Sequence, residues 1–318
     1  MLWLEKKTEE APTGDDGDRI MVSAKTAERI SGSVREALGR GRTMLASAGI
    51  PGSDLDARLL LAGALGVETS RLPVMERASM RPDQAVAYAG MIESRAAGCP
   101  VAYLLGEKEF WSAPFVVDRR VLIPRPETEL LVETAAELME GSGRVAEIGT
   151  GSGCVIVALA KEVGGAGWLA VDVSAEALQV AEMNVTRHGL SGRIALRRSD
   201  LFEAVRLEDG PFDIIVSNPP YVPSGERDGL QREIREHEPW LALDGGRDGL
   251  DIVREIIRLA PAHLHRGGHL LLEIGYGQAE EVMACIAADG SFGSIFCRRD
   301  LSGTIRVVAA ERKGMCRE

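Results

Sequence analysis

From Pro126 to the end of the chain, short apolar runs alternate with segments of helical periodicity, and this alternation constrains the fold more than any other feature. Runs at 144–148, 168–173, 194–198, 212–217, 269–274 and 304–309 read as strands. Segments at 154–163, 175–188, 251–264 and 278–288 read as helices. Such an order implies an α/β domain with a mostly parallel sheet covered by helices on both faces, and the 304–309 run closes that sheet. In open sheets of this kind ligands sit beyond the carboxyl ends of the strands. The residues that follow each run are therefore the candidates for function.

Upstream, the pattern is helical. Val34, Leu38, Met44, Leu45 and Ala48 share one helix face, interrupted by Gly39 and Gly41. Asp54 is placed to cap a second helix that Gly66 stops, and Pro82 opens a third, over 83–97, that Gly98 ends. Residues 33–104 read as a small helical domain. Residues 1–32 are polar and aperiodic, the composition of a disordered tail. Glu107–Trp111 and Phe115–Val117 are β-prone runs flanking Ser112-Ala113-Pro114, which reads as a hairpin in a 105–124 linker. The α/β domain then spans 125–318.

Composition narrows the partners. The net charge of -11 disfavours nucleic acid as a stable partner, since a nucleic-acid grip needs a basic face. Cys99, Cys154, Cys285, Cys297 and Cys316 form no CxxC pair, so reduced thiols are expected, and no HExxH signals a metal site. Met1-Leu2-Trp3-Leu4 is too short for a signal-peptide core and no apolar run is long enough to span a bilayer. A cytoplasmic protein without a membrane partner is expected.

Gly149-Thr150-Gly151-Ser152-Gly153 stands where the 144–148 strand meets its helix. Its amides face a ligand there and its glycines allow close approach. The spacing is GxGxG, not the GxGxxG of dinucleotide folds, and no Lys-Ser/Thr pair makes a phosphate loop. Asp172 ends the next strand, about 20 residues on, where an acid binds ribose hydroxyls. Asp200, in Ser199-Asp200-Leu201, is placed to accept from an adenine amino group. Either acid alone also fits a strand-end cap. In series with the glycine loop they describe ribose and adenine without phosphate, which is S-adenosylmethionine.

After the 212–217 strand comes Asn218-Pro219-Pro220-Tyr221. Two prolines remove two backbone donors and fix two φ angles, so the carbonyls of Asn218 and Pro219 can face a ligand. Asn218 adds a side-chain acceptor and Tyr221 a flat ring. The set suits a planar group carrying an NH2, which glutamine, asparagine, adenine and cytosine all possess. A proline-rich turn with a structural asparagine is the plainer alternative.

The chain resembles the HemK/PrmC family, the peptide chain release factor glutamine-N5 methyltransferases, over nearly everything after about residue 33. The resemblance is carried by 98–106, Arg125-Pro126-Glu127-Thr128-Glu129, 147–153 and Asn218–Tyr221. It continues through Glu238-Pro239, Ala242-Leu243, 246–250, and Asp300 with Gly303 and Arg306. It implies a Rossmann-like class I methyltransferase fold: a seven-stranded, mostly parallel sheet, a small N-terminal helical domain that binds substrate, and a β-hairpin connector. It also implies that Gly149, Thr150, Gly151, Ser152, Gly153, Asp172, Asp200, Leu201 and Asn218 bind the cofactor. Asn218, Pro219, Pro220 and Tyr221 would hold the substrate, with Asn218, Pro219 and Tyr221 catalytic. Some relatives carry Trp where Leu201 stands, and leucine supplies only apolar and main-chain contact. The leader looks unlike the family's start, which makes Met21 a candidate initiator.

The resemblance implies methyl transfer from S-adenosylmethionine to the glutamine of the Gly-Gly-Gln loop in class I release factors of bacterial type, a step in translation termination. Methylation of adenine N6 in nucleic acid, or of another protein glutamine, uses the same Asn-Pro-Pro-Tyr chemistry. A non-catalytic module would show a damaged loop or lack Asn218, and a nicotinamide oxidoreductase would need the missing pyrophosphate loop.

Overall fold

A computed structural model describes Ile30 and residues 32–139, 143–164 and 167–314. All of the expected tail except Ile30 and Gly32 lies outside the described residues, as do Met21 and Cys316. The chain divides into two compact units between Ala97 and Gly98.

Among its described residues the first unit holds the helices α1 (Val34–Ser47), α2 (Ser53–Leu65) and α3 (Pro82–Ala96), with a 3-10 turn over Thr69–Met75. Ser33 caps α1: its Oγ accepts from the Glu36 N–H at 3.3 Å while Glu36 Oε2 accepts from the Ser33 N–H at 2.9 Å. Gly39 and Gly41 do not interrupt this helix. Gly41 instead makes room for Tyr88, whose Oη would lie 2.1 Å from a Cβ at that position. Tyr88 Oη donates to the Ala57 carbonyl at 3.2 Å, tying α3 to α2. Asp54 is not the cap of α2, which follows Gly52 in a left-handed conformation; its carboxylate accepts from Arg58 Nε at 2.9 Å. Arg95 Nε donates to the largely buried Asp56 at 2.7 Å.

The second unit opens with α4 (Val101–Leu105) and a hairpin of β1 (Glu107–Phe110) and β2 (Ala113–Val116). Its turn is Trp111-Ser112, both at positive φ (50° and 54°), so Ala113 and Pro114 lie in the strand, opposite Phe110 and Glu109. Two-residue turns with two positive φ values match the twist of antiparallel strands, which explains the tighter turn.

Then follow α5 (Glu129–Leu138), β3 (Arg144–Ile148), α6 (Cys154–Glu162), β4 (Gly167–Asp172), α7 (Ala175–Arg187), β5 (Ile194–Arg198) and β6 (Phe212–Ser217). The rest is α8 (Arg232–His237), α9 (Asp251–His263), β7 (Leu264–Glu273), α10 (Ala279–Asp289), β8 (Phe292–Arg299) and β9 (Ile305–Arg312). The seven-stranded sheet runs β5-β4-β3-β6-β7-β9-β8. Pairings from β5 through β7 are parallel, whereas β7–β9 and β9–β8 are antiparallel. The 304–309 run therefore does not close the sheet. It sits one strand inside, and the edge is β8, a strand whose apolar pattern is too broken to read.

Successive residues of β6 face opposite layers. Ile214 and Val216 pack with Leu131, Val157 and Val185 of α5, α6 and α7. Ile215 packs with Val253, Ile256 and Val282 of α9 and α10. Burial on both faces is why the run is mostly apolar instead of alternating. The first strand, β3, lies between β4 and β6, so strand order reverses there and a crevice opens at the carboxyl ends. No described helix is long and apolar enough to cross a membrane.

Candidate active site

The crevice holds a cavity of about 370 Å³. Its floor is the loop after β3. Gly149 and Gly151 adopt φ of 75° and 54°, and a Cβ on either would meet nothing within 4 Å, so both face open space on the cavity side. Gly153 is different. It is absent from the cavity wall, and a Cβ there would stand 3.3 Å from Ala181 Cβ, so it serves the close approach of α7.

Glu147, 3% exposed, sits under this loop. Its Oε2 accepts from Thr150 Oγ1 at 2.6 Å and from the Ile156 N–H at 3.1 Å. Burial pushes its pKa up to about 8 against those two hydrogen bonds, with Asp172 adding to the rise. Ser152 lines the cavity, and its carbonyl accepts from Asn184 Nδ2 at 2.8 Å. Asn184 is wholly buried and also bonds both the N–H and the carbonyl of Val116, so one amide ties the hairpin to the glycine loop.

Asp172 ends β4. Its Oδ2 accepts from the Gly151 N–H at 2.8 Å and its Oδ1 from the Ser174 N–H at 2.9 Å. Burial raises its pKa, and these backbone donors oppose the rise. After β5, Asp200 is exposed at the cavity rim and Leu201 lines the wall at φ 45°. Ser199 holds that turn, donating to the Leu201 carbonyl and accepting from the Ala204 N–H, both at 2.9 Å.

Asn218, Pro219 and Pro220 form the wall after β6. Asn218 Nδ2 donates to Thr128 Oγ1 at 3.2 Å, which makes Oδ1 the other end of the amide. Backbone pairing resumes at Val222, whose N–H donates to the Leu243 carbonyl at 2.9 Å. Tyr221 does not line the cavity. Its carbonyl accepts from Gln278 Nε2 at 3.1 Å, and its ring packs so near Gly275 that a Cβ there would lie 3.1 Å from Cδ2. Burial, then the charge of Glu273, pushes the phenol up to about 12.

The structure thus brings Gly149, Thr150, Gly151, Ser152, Asp172, Asp200, Leu201, Asn218, Pro219 and Pro220 onto one cavity wall, and leaves Gly153 and Tyr221 off it. Sequence reasoning gave no role to Thr128, Glu147, Asn184, Glu238 or Glu273. Glu238 is buried and receives Arg125 Nη2 at 2.5 Å and the Ile123 N–H at 3.2 Å. Burial raises its pKa, and Arg125 pulls it back. The signal that could have found them is a charged or amide residue inside an apolar run, as at Glu147 and Glu273, since such a group needs a partner.

Residues 36–106 match the model of the PrmC N-terminal domain, and residues 126–247 that of the Methyltransferase small domain. A release factor glutamine methyltransferase of Geobacter sulfurreducens is 42% identical over 276 residues, covering 87% of this chain and 95% of that relative. One of Cereibacter sphaeroides is 42% identical over 282 residues, covering 89% and 98%. Among solved structures, the catalytic domain of hMettl16 is 16% identical with a TM-score of 0.52, over 70% of this chain and 82% of that one; that likeness bears on the fold alone. With a methyltransferase fold, both domain matches and relatives of this identity along nearly their whole length, the chain belongs to the release factor glutamine methyltransferase family.

Proposed function

We propose that the protein transfers a methyl group from S-adenosylmethionine to the side-chain N5 of the glutamine in the Gly-Gly-Gln loop of class I bacterial release factors. The observation that carries this reading is the Asn218 amide. Its nitrogen is committed to Thr128 beside the cavity, so the acceptor end is left for a substrate NH2.

The wall fits the cofactor. Asp172 and Asp200 offer carboxylate oxygens beyond two neighbouring strands, Leu201 adds apolar surface, and the glycine loop faces open space. Arg120 and Arg125, the cations on that wall, are engaged by Asp118 and Glu238, which disfavours a pyrophosphate. Asp172 would hold ribose hydroxyls, Asp200 with Leu201 would bound the adenine, and Gly149–Ser152 would underlie the remainder. When bound, S-adenosylmethionine supplies a methyl group made electrophilic by its sulfonium.

A carboxamide nitrogen is a poor nucleophile because its lone pair is delocalised into the carbonyl. Asn218 Oδ1 and the Pro219 carbonyl would accept its two hydrogens, drawing density onto nitrogen and fixing its direction. Positioning and fixed dipoles then carry the catalysis. Tyr221 lies behind the wall, where its packing supports the Pro219-Pro220 turn. The N-alkylated amide is strongly acidic, so its extra proton leaves to water without a dedicated base. A release factor substrate places the reaction in the cytoplasm, and the acidic chain disfavours nucleic acid as the acceptor.

Labelled S-adenosylmethionine offered with a release factor, its Gln→Ala variant and duplex DNA tests the reading. Label is expected on the unmodified release factor alone. Label on DNA, or equal label on the Gln→Ala variant, would sink it.

A further inference from the structure

Glu273 lies at the end of β7, 2% exposed, and its Oε2 is buried with no hydrogen-bond partner. Its place follows from the register: Ser217 pairs with Leu272 in the parallel β6–β7 ladder, so Asn218 and Glu273 are the next positions on neighbouring strands. Thr128, also 2% exposed, stands at the start of α5. Its Oγ1 accepts from Asn218 Nδ2 at 3.2 Å, and the side chains of Thr128 and Asn218 both oppose the rise in the Glu273 pKa. Arg306 of β9 and Glu127 are the charged groups that act on the same carboxyl, and Glu273 in turn acts on Tyr221.

We propose that Thr128 and Glu273 form a buried hydroxyl–carboxylate relay that fixes which end of the Asn218 amide faces the cavity. Both are positioning residues for the methyl acceptor. The argument is a count of hydrogens. A hydroxyl has one, and a carboxylate can only accept. If Thr128 gives its hydrogen to Glu273, it must accept from Asn218, so the Asn218 NH2 turns inward and Oδ1 outward. A flipped Asn218 would set its carbonyl oxygen against the Thr128 oxygen with no hydrogen between them, and would offer substrate a donor where an acceptor is needed.

Protonation reverses the count. A neutral Glu273 can donate to Thr128, and Thr128 can then donate to Asn218 Oδ1, which turns the NH2 outward. Burial pushes the Glu273 pKa up to about 7, against Thr128 and Arg306, so the relay switches near neutrality. The active orientation belongs to the ionised form, and turnover falls as pH drops through that value.

The proposal rests on amide methylation as the reaction, and its test keeps the two apart. Wild-type enzyme, Thr128→Val, Thr128→Ser, Glu273→Gln and the Thr128→Val/Glu273→Gln double variant are assayed for kcat on a release factor and for S-adenosylmethionine affinity. Thr128→Val is expected to lose roughly 10- to 100-fold in kcat, the scale for a group that orients a reacting partner, with cofactor affinity unchanged. Thr128→Ser restores the rate. Glu273→Gln, which can present either a donor or an acceptor to Thr128, removes the acid limb of the kcat profile near pH 7, and the double variant is no slower than Thr128→Val. A wild-type rate in folded Thr128→Val, an unchanged acid limb in Glu273→Gln, or losses that multiply in the double variant would overturn the relay. Absence of release-factor methylation by the wild type would overturn the reaction instead.

Discussion

Asn218 presents two ends, and its nitrogen is already spent on Thr128. Asn218→Ala should therefore cut turnover by roughly 10²–10³-fold, the scale for removing one preorganised polar group, while the half-buried position lets the fold persist. Single-turnover kinetics on a variant of unchanged circular dichroism checks this; a near-normal rate would reduce Asn218-Pro219-Pro220-Tyr221 to a turn. At the opposite wall, Asp172 anchors the glycine loop through the Gly151 N–H and faces the cavity. Asp172→Ala should weaken S-adenosylmethionine binding by about 1–3 kcal/mol through lost charge-assisted hydrogen bonds, and calorimetry should show no NAD binding by the wild type. These positions were legible because each follows an apolar run directly. Thr128 and Glu273 were not, since their meaning lies in their nearness to Asn218: the β6–β7 register sets Glu273 beside it, and the fold brings the Thr128 hydroxyl to its amide.

Glycine carries opposite meanings within one element. Inside α1, a Cβ at Gly39 meets nothing within 4 Å, whereas one at Gly41 collides with Tyr88. Gly39→Ala should stabilise the protein by about 0.5–1 kcal/mol, the helix-propensity difference. Gly41→Ala should destabilise it by about 1–3 kcal/mol, as overpacking displaces Tyr88 from the Ala57 carbonyl. Denaturant midpoints of the two variants read the contrast, and equal midpoints would refute it. From sequence both glycines look like interruptions, because propensity is local and the Tyr88 contact is not. The same limit hides β8: Phe292 alone in it is buried, so nothing in its pattern separates an edge strand from a loop, and from sequence β9 looks like the edge. The central parallel strands β3, β4 and β6 were legible, being buried on both faces and mostly apolar.

At the scale of the whole molecule, two buried carboxyls shape the response to pH. Glu147 and Glu273 have pKa values raised to about 8 and about 7 from an ordinary 4.5, in both cases by burial. The folded protein keeps protons that the unfolded chain releases above that ordinary value. Their contribution to stability is therefore full below about pH 4.5 and is lost as pH rises through 7 and 8. Asp172 and Glu238, also raised by burial, act in the same sense. Asp248 and Asp300, both near 2 through hydrogen bonds to their ionised forms, change only at lower pH. The melting temperature should fall between about pH 5 and pH 8, and Glu147→Gln should flatten that slope; a slope unchanged in Glu147→Gln would mean its carboxyl is not buried neutral.

The reaction assigned to the cavity depends on the acceptor being a carboxamide held at Asn218. Fragmentation mass spectrometry of a bacterial class I release factor, after incubation with the enzyme and S-adenosylmethionine, locates the added methyl group. One methyl on the side-chain nitrogen of the Gly-Gly-Gln glutamine, lost with Asn218→Ala, is the expected result. A methyl on any other residue, or an unmodified release factor beside methylated DNA, would contradict the account.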